Sequence, residues 1–385
     1  MQKKSTIIQN MSIDFFSKMV YYIKENKNSG RDNMNAKEII AQFNSDASLT
    51  PYGNGHINDT YVTNRLIIQR INTDIFKDAD GLMKNIVGVT EHLRKKIEEA
   101  GGDTERETLT VVPTQDGKAY YKAEDGSCYR AYNLIEDSVS YEIVSAPLLY
   151  RAAKAFGKFQ NMLDDYPADT LFEIIPNFHN TAKRYDNLMK AAENDVCGRL
   201  ASVKKEFDFA CARKDDTPVV LDAIEKGLIP LRVTHNDTKL NNVLFDNKTQ
   251  APVSVIDLDT VMPGSYLYDF GDAIRSGATH AAEDEQNLDI VDFDLDLYKA
   301  FAKGYIEQCG ASLTDVEIEL LPYASIMLTL ECGIRFLTDH LNGDTYFKIH
   351  REGHNLDRCR TQFKLVYEME QNLDKLKEII NSLVK

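Results

Sequence analysis

A chain of 385 residues with 43% apolar and 27% charged residues is long enough for two domains, or for one domain split into lobes, and can bury a sizeable core. Its formal net charge of −15 argues against a nucleic-acid partner, which would favour a basic surface, and reads as solubility more readily than as a match for a cationic substrate. The six cysteines, Cys128, Cys197, Cys211, Cys309, Cys332 and Cys359, are scattered without a C-x-x-C and read as reduced thiols. No apolar run approaches the ~18 residues of a membrane span. The N-terminus has no uninterrupted apolar signal region, because Gln9, Asn10, Ser12 and Asp14 break it up. The expectation is a cytoplasmic protein with no membrane and no nucleic-acid partner.

Residues 1–33 read as a polar extension, and Met1, Met11 and Met34 are all possible translation starts. Met34 opens a helix carrying Ile39, Ile40 and Phe43 at helical spacing. From Pro51 to Ile135 the signals are mostly β: Tyr61–Thr63 and Leu66–Ile71 as one hairpin, Leu109–Val112 as a strand, and 119–123 with 128–135 as a second hairpin. One helix interrupts them, with Leu82, Ile86, Val89 and Leu93 on one face. After residue 136 long helices are predicted over 147–163, 178–192, 203–212, 294–308 and 313–341. A last one over 356–383 carries an apolar stripe suited to packing on its own lobe. The fold class that follows is α+β and bilobal, with a small antiparallel-sheet N-lobe (34–135) and a mostly helical C-lobe (136–385).

Two segments interrupt the helices. Residues 231–245 place short apolar runs around a polar loop, and Val253–Asp259 is an apolar strand ending in carboxylates. His235-x-Asp237-x4-Asn242 matches the catalytic-loop pattern of phosphoryl-transfer enzymes, and Asp257 follows at the end of a strand 20 residues after Asp237. Such a set suits a base for the attacking hydroxyl (Asp237), an amide and a carboxylate for Mg2+ (Asn242, Asp257), and a histidine that holds the loop (His235). Asp259 is either a second metal contact or the cap of the turn that follows.

This region resembles the aminoglycoside phosphotransferase and choline-kinase-like superfamily, which implies a protein-kinase-like fold. The resemblance implies that Asp269 braces the catalytic loop and that Lys239 approaches the γ-phosphate of ATP, unless Lys239 is simply a surface lysine. Gly53-Asn54-Gly55 resembles the phosphate-covering hairpin loop, although such a pattern also suits an ordinary turn. The lysine usual in the next strand is missing: either Arg70 does its work, or Gln69 holds its position and the charge comes from elsewhere. Glu91 is a candidate for the acid on the N-lobe helix, and residues 128–137 would include the adenine-reading hinge. No G-x4-G-K-[ST] occurs, which excludes a P-loop kinase on pattern.

Residues 51–58, 231–242, 256–264 and 331–337 are similar to those of the N-acetylhexosamine 1-kinases. The likeness implies transfer from ATP to the C1 hydroxyl of GlcNAc or GalNAc, a small neutral sugar. Arg335 on an apolar helix either binds that sugar or pairs with Asp339 or Glu331, since a buried arginine is costly alone. His56 and Tyr346 complete the pocket or serve structure. Asp292, Asp294 and Asp296 read as first-turn residues favoured by a helix dipole. The alternatives are a kinase of this fold for another hydroxyl, such as choline, homoserine or an aminoglycoside, and a nucleotide-binding pseudokinase scaffold.

Overall fold

The computed structural model describes residues 32–52 and 57–384. The expected extension lies outside the described residues as far as residue 31, and so do Gly53, Asn54, Gly55 and His56.

The N-terminal part comprises α1 (Asp32–Ala41), β1 (Thr50–Pro51), β2 (Asp59–Val62), β3 (Leu66–Ile71), α2 (Ala79–Glu99), β4 (Val111–Val112), β5 (Tyr121–Lys122) and β6 (Cys128–Asn133). The strands form one antiparallel sheet in the order β1-β2-β3-β6-β4, with β5 also on β6. Period-two alternation sorts its side chains. Leu66, Ile68, Tyr129 and Ala131 face one way, under Ile39, Ile40 and Phe43 at the end of α1. Ile71, Cys128 and Tyr132 face the other way, into the main core with Leu82, Ile86, Val89 and Leu93 of α2. Gln69 and Arg130 are register partners on this second face.

The remainder is mostly helical: α3 (Ala146–Met162), α4 (Thr181–Asn194), α5 (Lys204–Cys211), α6 (Val219–Glu225), α7 (Tyr266–Gly277), α8 (Leu295–Cys309), α9 (Asp315–Leu341), α10 (His354–Gln371) and α11 (Leu373–Leu383). Short strands lie before and among these helices: β7 (Ser138–Val139), β8 (Arg232–Thr234), β9 (Val243–Asp246), β10 (Pro252–Val255) and β11 (Met262–Gly264). β9 pairs with β10 and β7, and β8 pairs with β11. The α+β, bilobal, kinase-like architecture expected from the sequence is the one observed.

α9 is the axis of the helical part, packed on α4, α7 and α10. A capping box of Thr314 and Glu317 starts it. Among the described residues it is the one helix long and apolar enough to cross a membrane, but 78% of its most apolar stretch is buried in protein. Its apolarity is that of a central helix with neighbours on several sides. At Gly271 of α7 a Cβ would stand 2.4 Å from the Ala324 carbonyl oxygen, so glycine is what lets α7 approach α9 so closely.

Two expectations are corrected. The apolar stripe over 356–383 belongs to two helices, α10 and α11, separated at Asn372, whose side chain donates to the Glu368 carbonyl and whose N–H bonds back to Met369. Both halves still pack inward, through Cys359, Val366 and Met369 and through Leu376 and Ile380. The short helix α6 was not anticipated, because seven residues give too little periodicity to read.

Candidate active site

β8 and β11 together carry the loop that follows Thr234. Asp269, in the first turn of α7, accepts the His235 N–H at 2.9 Å, the Asn236 N–H at 2.7 Å and the Gln160 Nε2–H at 2.7 Å. Ser265 starts that helix as its N-cap, with its hydroxyl accepting the Leu267 N–H. Asp272, one turn on, accepts the Thr238 N–H at 2.9 Å. Asn236 stands at φ 64°, a left-handed conformation that asparagine tolerates better than most residues. The loop is therefore clamped from α7 on both sides of Asp237.

The Asp237 carboxylate meets Lys239 Nζ at 2.7 Å through Oδ1 and accepts from Asn242 Nδ2 at 3.0 Å through Oδ2. Burial pushes this carboxyl up, but Lys239, His235 and Asn242 outweigh it and hold it below the usual range. Asn242 Nδ2 also donates to the Asp237 carbonyl at 2.8 Å, which turns its Oδ1 away from Asp237. His235 accepts the Asp237 N–H at Nδ1 (3.2 Å), so its Nε2–H donates to the Ile256 carbonyl at 2.9 Å. These two bonds tie the loop to the strand before Asp257, and the Ile256 N–H to Asn242 carbonyl bond at 2.9 Å repeats the tie.

Asp257 also stands in the left-handed region, at φ 61°. The residue is exposed, yet the protein atoms packed around it still cost its charged form solvation. Desolvation, followed by the charges of Asp259 and Asp237, raises it to about 7 despite His235 and Arg130. A carboxyl with no ion-pair partner among the described residues is suited to a hard divalent cation. Among the described residues no group of three or more His, Cys, Asp and Glu forms a metal cage. Asp257 and Asn242 thus offer oxygen ligands of the kind a magnesium ion takes.

Asp259 sits in the 3-10 turn Leu258–Thr260 and is held there by other side chains. Its Oδ1 meets Arg130 Nη1 at 2.5 Å and its Oδ2 accepts from Asn58 Nδ2 at 2.6 Å, so its two oxygens are occupied by protein. Arg130 is 1% exposed and its Nε and Nη2 both donate to Gln69 Oε1, at 3.1 and 2.8 Å. Gln69 accordingly faces the carboxylates. Arg70 lies on the opposite face of β3, 51% exposed and paired with Asp59 at 3.3 Å. Glu91 is exposed on α2. The residue of α2 that reaches this region is Asn85, buried, donating to the carbonyls of Val261 and Phe172.

Arg335 makes no ion pair among the described residues. Its guanidinium lies 5.6 Å from the Phe178 ring and 5.4 Å from the Phe347 ring. Glu331 is engaged by His179 (2.9 Å) and Thr181 (2.6 Å), and Asp339 by the N–H groups of Thr345, Tyr346 and Phe347 and by Asn355. The Tyr346 ring is exposed and edge-on to Phe347. Arg184 donates to the Phe178 carbonyl, and burial with the nearby Arg335 charge lowers it. His179 also faces the Asn236 carbonyl at 3.4 Å, which connects this wall to the catalytic loop. Asp294 caps α8 and Asp296 lies in its first turn, as the sequence suggested.

Arg130, Asn58, Asn85, His179 and Arg184 were not singled out by sequence reasoning. Only Arg130 left a signal: a lone cation inside the otherwise apolar β6, where a charge must have a buried partner.

A family model described as the phosphotransferase enzyme family matches residues 105–304. A microcompartment-associated aminopropanol kinase is similar in structure, with 15% identity, a TM-score of 0.55, and 89% of this chain and 98% of that one covered. An aminoglycoside phosphotransferase from Alicyclobacillus acidocaldarius is 14% identical, covering 90% of this chain and 96% of that one at a TM-score of 0.55. A choline kinase from Cryptosporidium parvum is 14% identical, covering 88% and 93% at a TM-score of 0.52. At these identities the likeness is one of fold.

Proposed function

This chain belongs to the phosphotransferase enzyme family, and we propose that it transfers the γ-phosphoryl group of ATP to the C1 hydroxyl of an N-acetylhexosamine. The observation that carries the phosphotransfer reading is the Asp237 carboxylate. It is held ionised by Lys239 and Asn242, beside an Asp257 carboxyl raised to about 7.

Asp237 orients the acceptor hydroxyl and takes its proton as the oxygen attacks phosphorus in line. Lys239, bound to Asp237, balances negative charge at that point. Asp257 and Asn242 would hold magnesium, which when bound screens the phosphate charge. His235 and Asp269 keep the loop in place and take no proton. Gly53, Asn54 and Gly55 would cover the phosphates.

The acceptor wall favours an uncharged, hydroxyl-rich substrate. Arg184 and Arg335 lie close enough for their charges to interact, and among the described residues neither makes an ion pair. The nearby Glu331 is hydrogen-bonded to His179 and Thr181, so two cations face one carboxylate and a cationic acceptor such as choline or an aminoglycoside is disfavoured there. Arg335 between two rings offers N–H donors beside apolar faces, a combination suited to a sugar. Tyr346 and His56 are the further candidates for this wall.

The test is ADP release with magnesium and ATP against GlcNAc, GalNAc, glucose, choline, homoserine and kanamycin, with phosphorus NMR of any product. A sugar 1-phosphate from the acetamido sugars is the expected result. Turnover only with another acceptor overturns the sugar and keeps the phosphotransfer reading.

A further inference from the structure

Among the described residues, the carboxylates around the proposed metal site are unequal in one respect: Asp259 has a buried cation and Asp257 has none. We infer that the Arg130–Asp259 ion pair, seated between Gln69 and Asn58, positions the metal-binding segment and takes the place of the strand lysine and helix glutamate that protein kinases use. The inference rests on the phosphotransfer reading above but not on the identity of the acceptor.

Four observations support it. First, the pair joins the two parts of the molecule. Arg130 is on β6 and Asn58 precedes β2, with Asn58 Oδ1 accepting the Asn72 N–H at 2.9 Å, while Asp259 lies beyond β10. Two separate N-terminal segments thus converge on one carboxylate, and a third, at Asn72, holds one of them. Second, Asp259 belongs to the single 3-10 turn Leu258–Thr260 that directly follows Asp257. The same turn is pinned to the catalytic loop by Thr260 Oγ1 to the His235 carbonyl (2.6 Å) and by Asn236 Nδ2 to the Thr260 carbonyl (2.8 Å). Moving Asp259 must move Asp257.

Third, Gln69 and Arg130 are matched. They stand opposite each other in β3 and β6, and the Gln69 carbonyl oxygen receives two N–H groups of the guanidinium. A lysine at 69 would set two cations together on this face, whereas glutamine orients the one that is there. Fourth, α2 reaches the segment through an amide, Asn85 donating to the Val261 carbonyl at 3.0 Å. Among the described residues, then, no lysine–glutamate pair links β3 to α2 near these carboxylates. The charge pairing has moved one strand over and onto Asp259. Neutralising Asp259 from the N-terminal sheet leaves Asp257 as the carboxylate free for a cation, and fixes its direction. Arg130 has no exposed face for a phosphate, so it is a positioning residue that acts through Asp259.

The test reads nucleotide binding, with no acceptor present. Affinity of the full chain for a fluorescent ADP analogue is measured with and without magnesium, alongside the thermal shift given by magnesium–ADP. Groups that orient a metal ligand typically contribute about 10–100-fold to metal affinity. R130Q and D259N are each expected to weaken the magnesium-dependent part of binding by about tenfold or more, leaving metal-free binding within about twofold. The double variant is expected to be no worse than the poorer single one, because the two residues act as a unit. A folded R130Q or D259N with wild-type magnesium dependence overturns the inference, as does additivity of the two. Should R130Q and D259N fail to fold, Q69A keeps the ion pair and removes its orientation. A smaller weakening of magnesium-dependent binding supports the inference, and none overturns it. A wild-type chain that binds magnesium–ADP but phosphorylates no acetamido sugar refutes the acceptor alone and leaves this result standing.

Discussion

Asp269 Oδ1 accepts the Asn236 N–H at 2.7 Å while Asn236 stands at φ 64°, so a carboxylate at the start of α7 sets the backbone one residue before the proposed base. The D269N variant puts an NH2 group against a site built from three donors. Leaving buried donors unsatisfied costs about 1–3 kcal/mol, more where a charged acceptor is removed. A loss of that size is expected in urea unfolding, together with a fall in kcat. Wild-type stability and turnover would show that the loop holds its shape without this brace.

Asp237 is held ionised below the usual carboxylate range. D237N is expected to lower kcat by about 10²–10⁴-fold, the usual contribution of a positioned base, while affinity for ADP changes only a few-fold. Unchanged turnover would remove Asp237 from the reaction.

The Asp257 carboxyl, raised to about 7 by partial desolvation, Asp259 and Asp237 against the pull of His235 and Arg130, gives a pH prediction with a definite sign. Below pH 7 a proton competes with magnesium at this carboxylate, so the apparent magnesium affinity should weaken from pH 8 to pH 6. The folded chain holds this proton more tightly than the unfolded one. The group's contribution to stability therefore falls as pH rises from about 4 to about 7, and magnesium should offset that loss most strongly at pH 8. A magnesium titration followed by thermal unfolding at pH 6, 7 and 8 checks both statements. A midpoint independent of pH would exclude Asp257 as the ligand.

Arg335 makes no ion pair among the described residues and lies 5.6 Å from the Phe178 ring and 5.4 Å from the Phe347 ring. R335A is expected to raise the acceptor KM by about tenfold or more, the effect of one lost charged hydrogen bond, with little change in the KM for ATP. Equal changes in both, or a large fall in melting temperature, would make Arg335 a packing residue.

The catalytic loop was legible because its chemistry is local. Asp237, Asn242 and Asp257 lie at fixed separations along short segments, and strand–loop–strand punctuation places them without knowledge of the rest. The helices were legible for the same reason, since a 3.6-residue period is a property of neighbours in the chain. Where that period was ambiguous the reading failed: Asn372 divides an unbroken apolar stripe into two helices, and α6 is too short to show one.

The acceptor wall and the Arg130–Asp259 pair could not be read in the same way. Arg130 and Asp259 are 129 residues apart, and Asn58 and Asp259 are 201 apart, so nothing in either neighbourhood records the other. The sequence by itself determined the candidates for a carboxylate base and for oxygen ligands to a cation, because those depend on residue type and short spacing. Only the tertiary structure decided which side of β3 faces them, that Gln69 orients a cation carried by β6, and that Asp259 is neutralised while Asp257 is free. A buried charge selects its partner by proximity in space and the cost of leaving water, and chain folding alone sets that proximity.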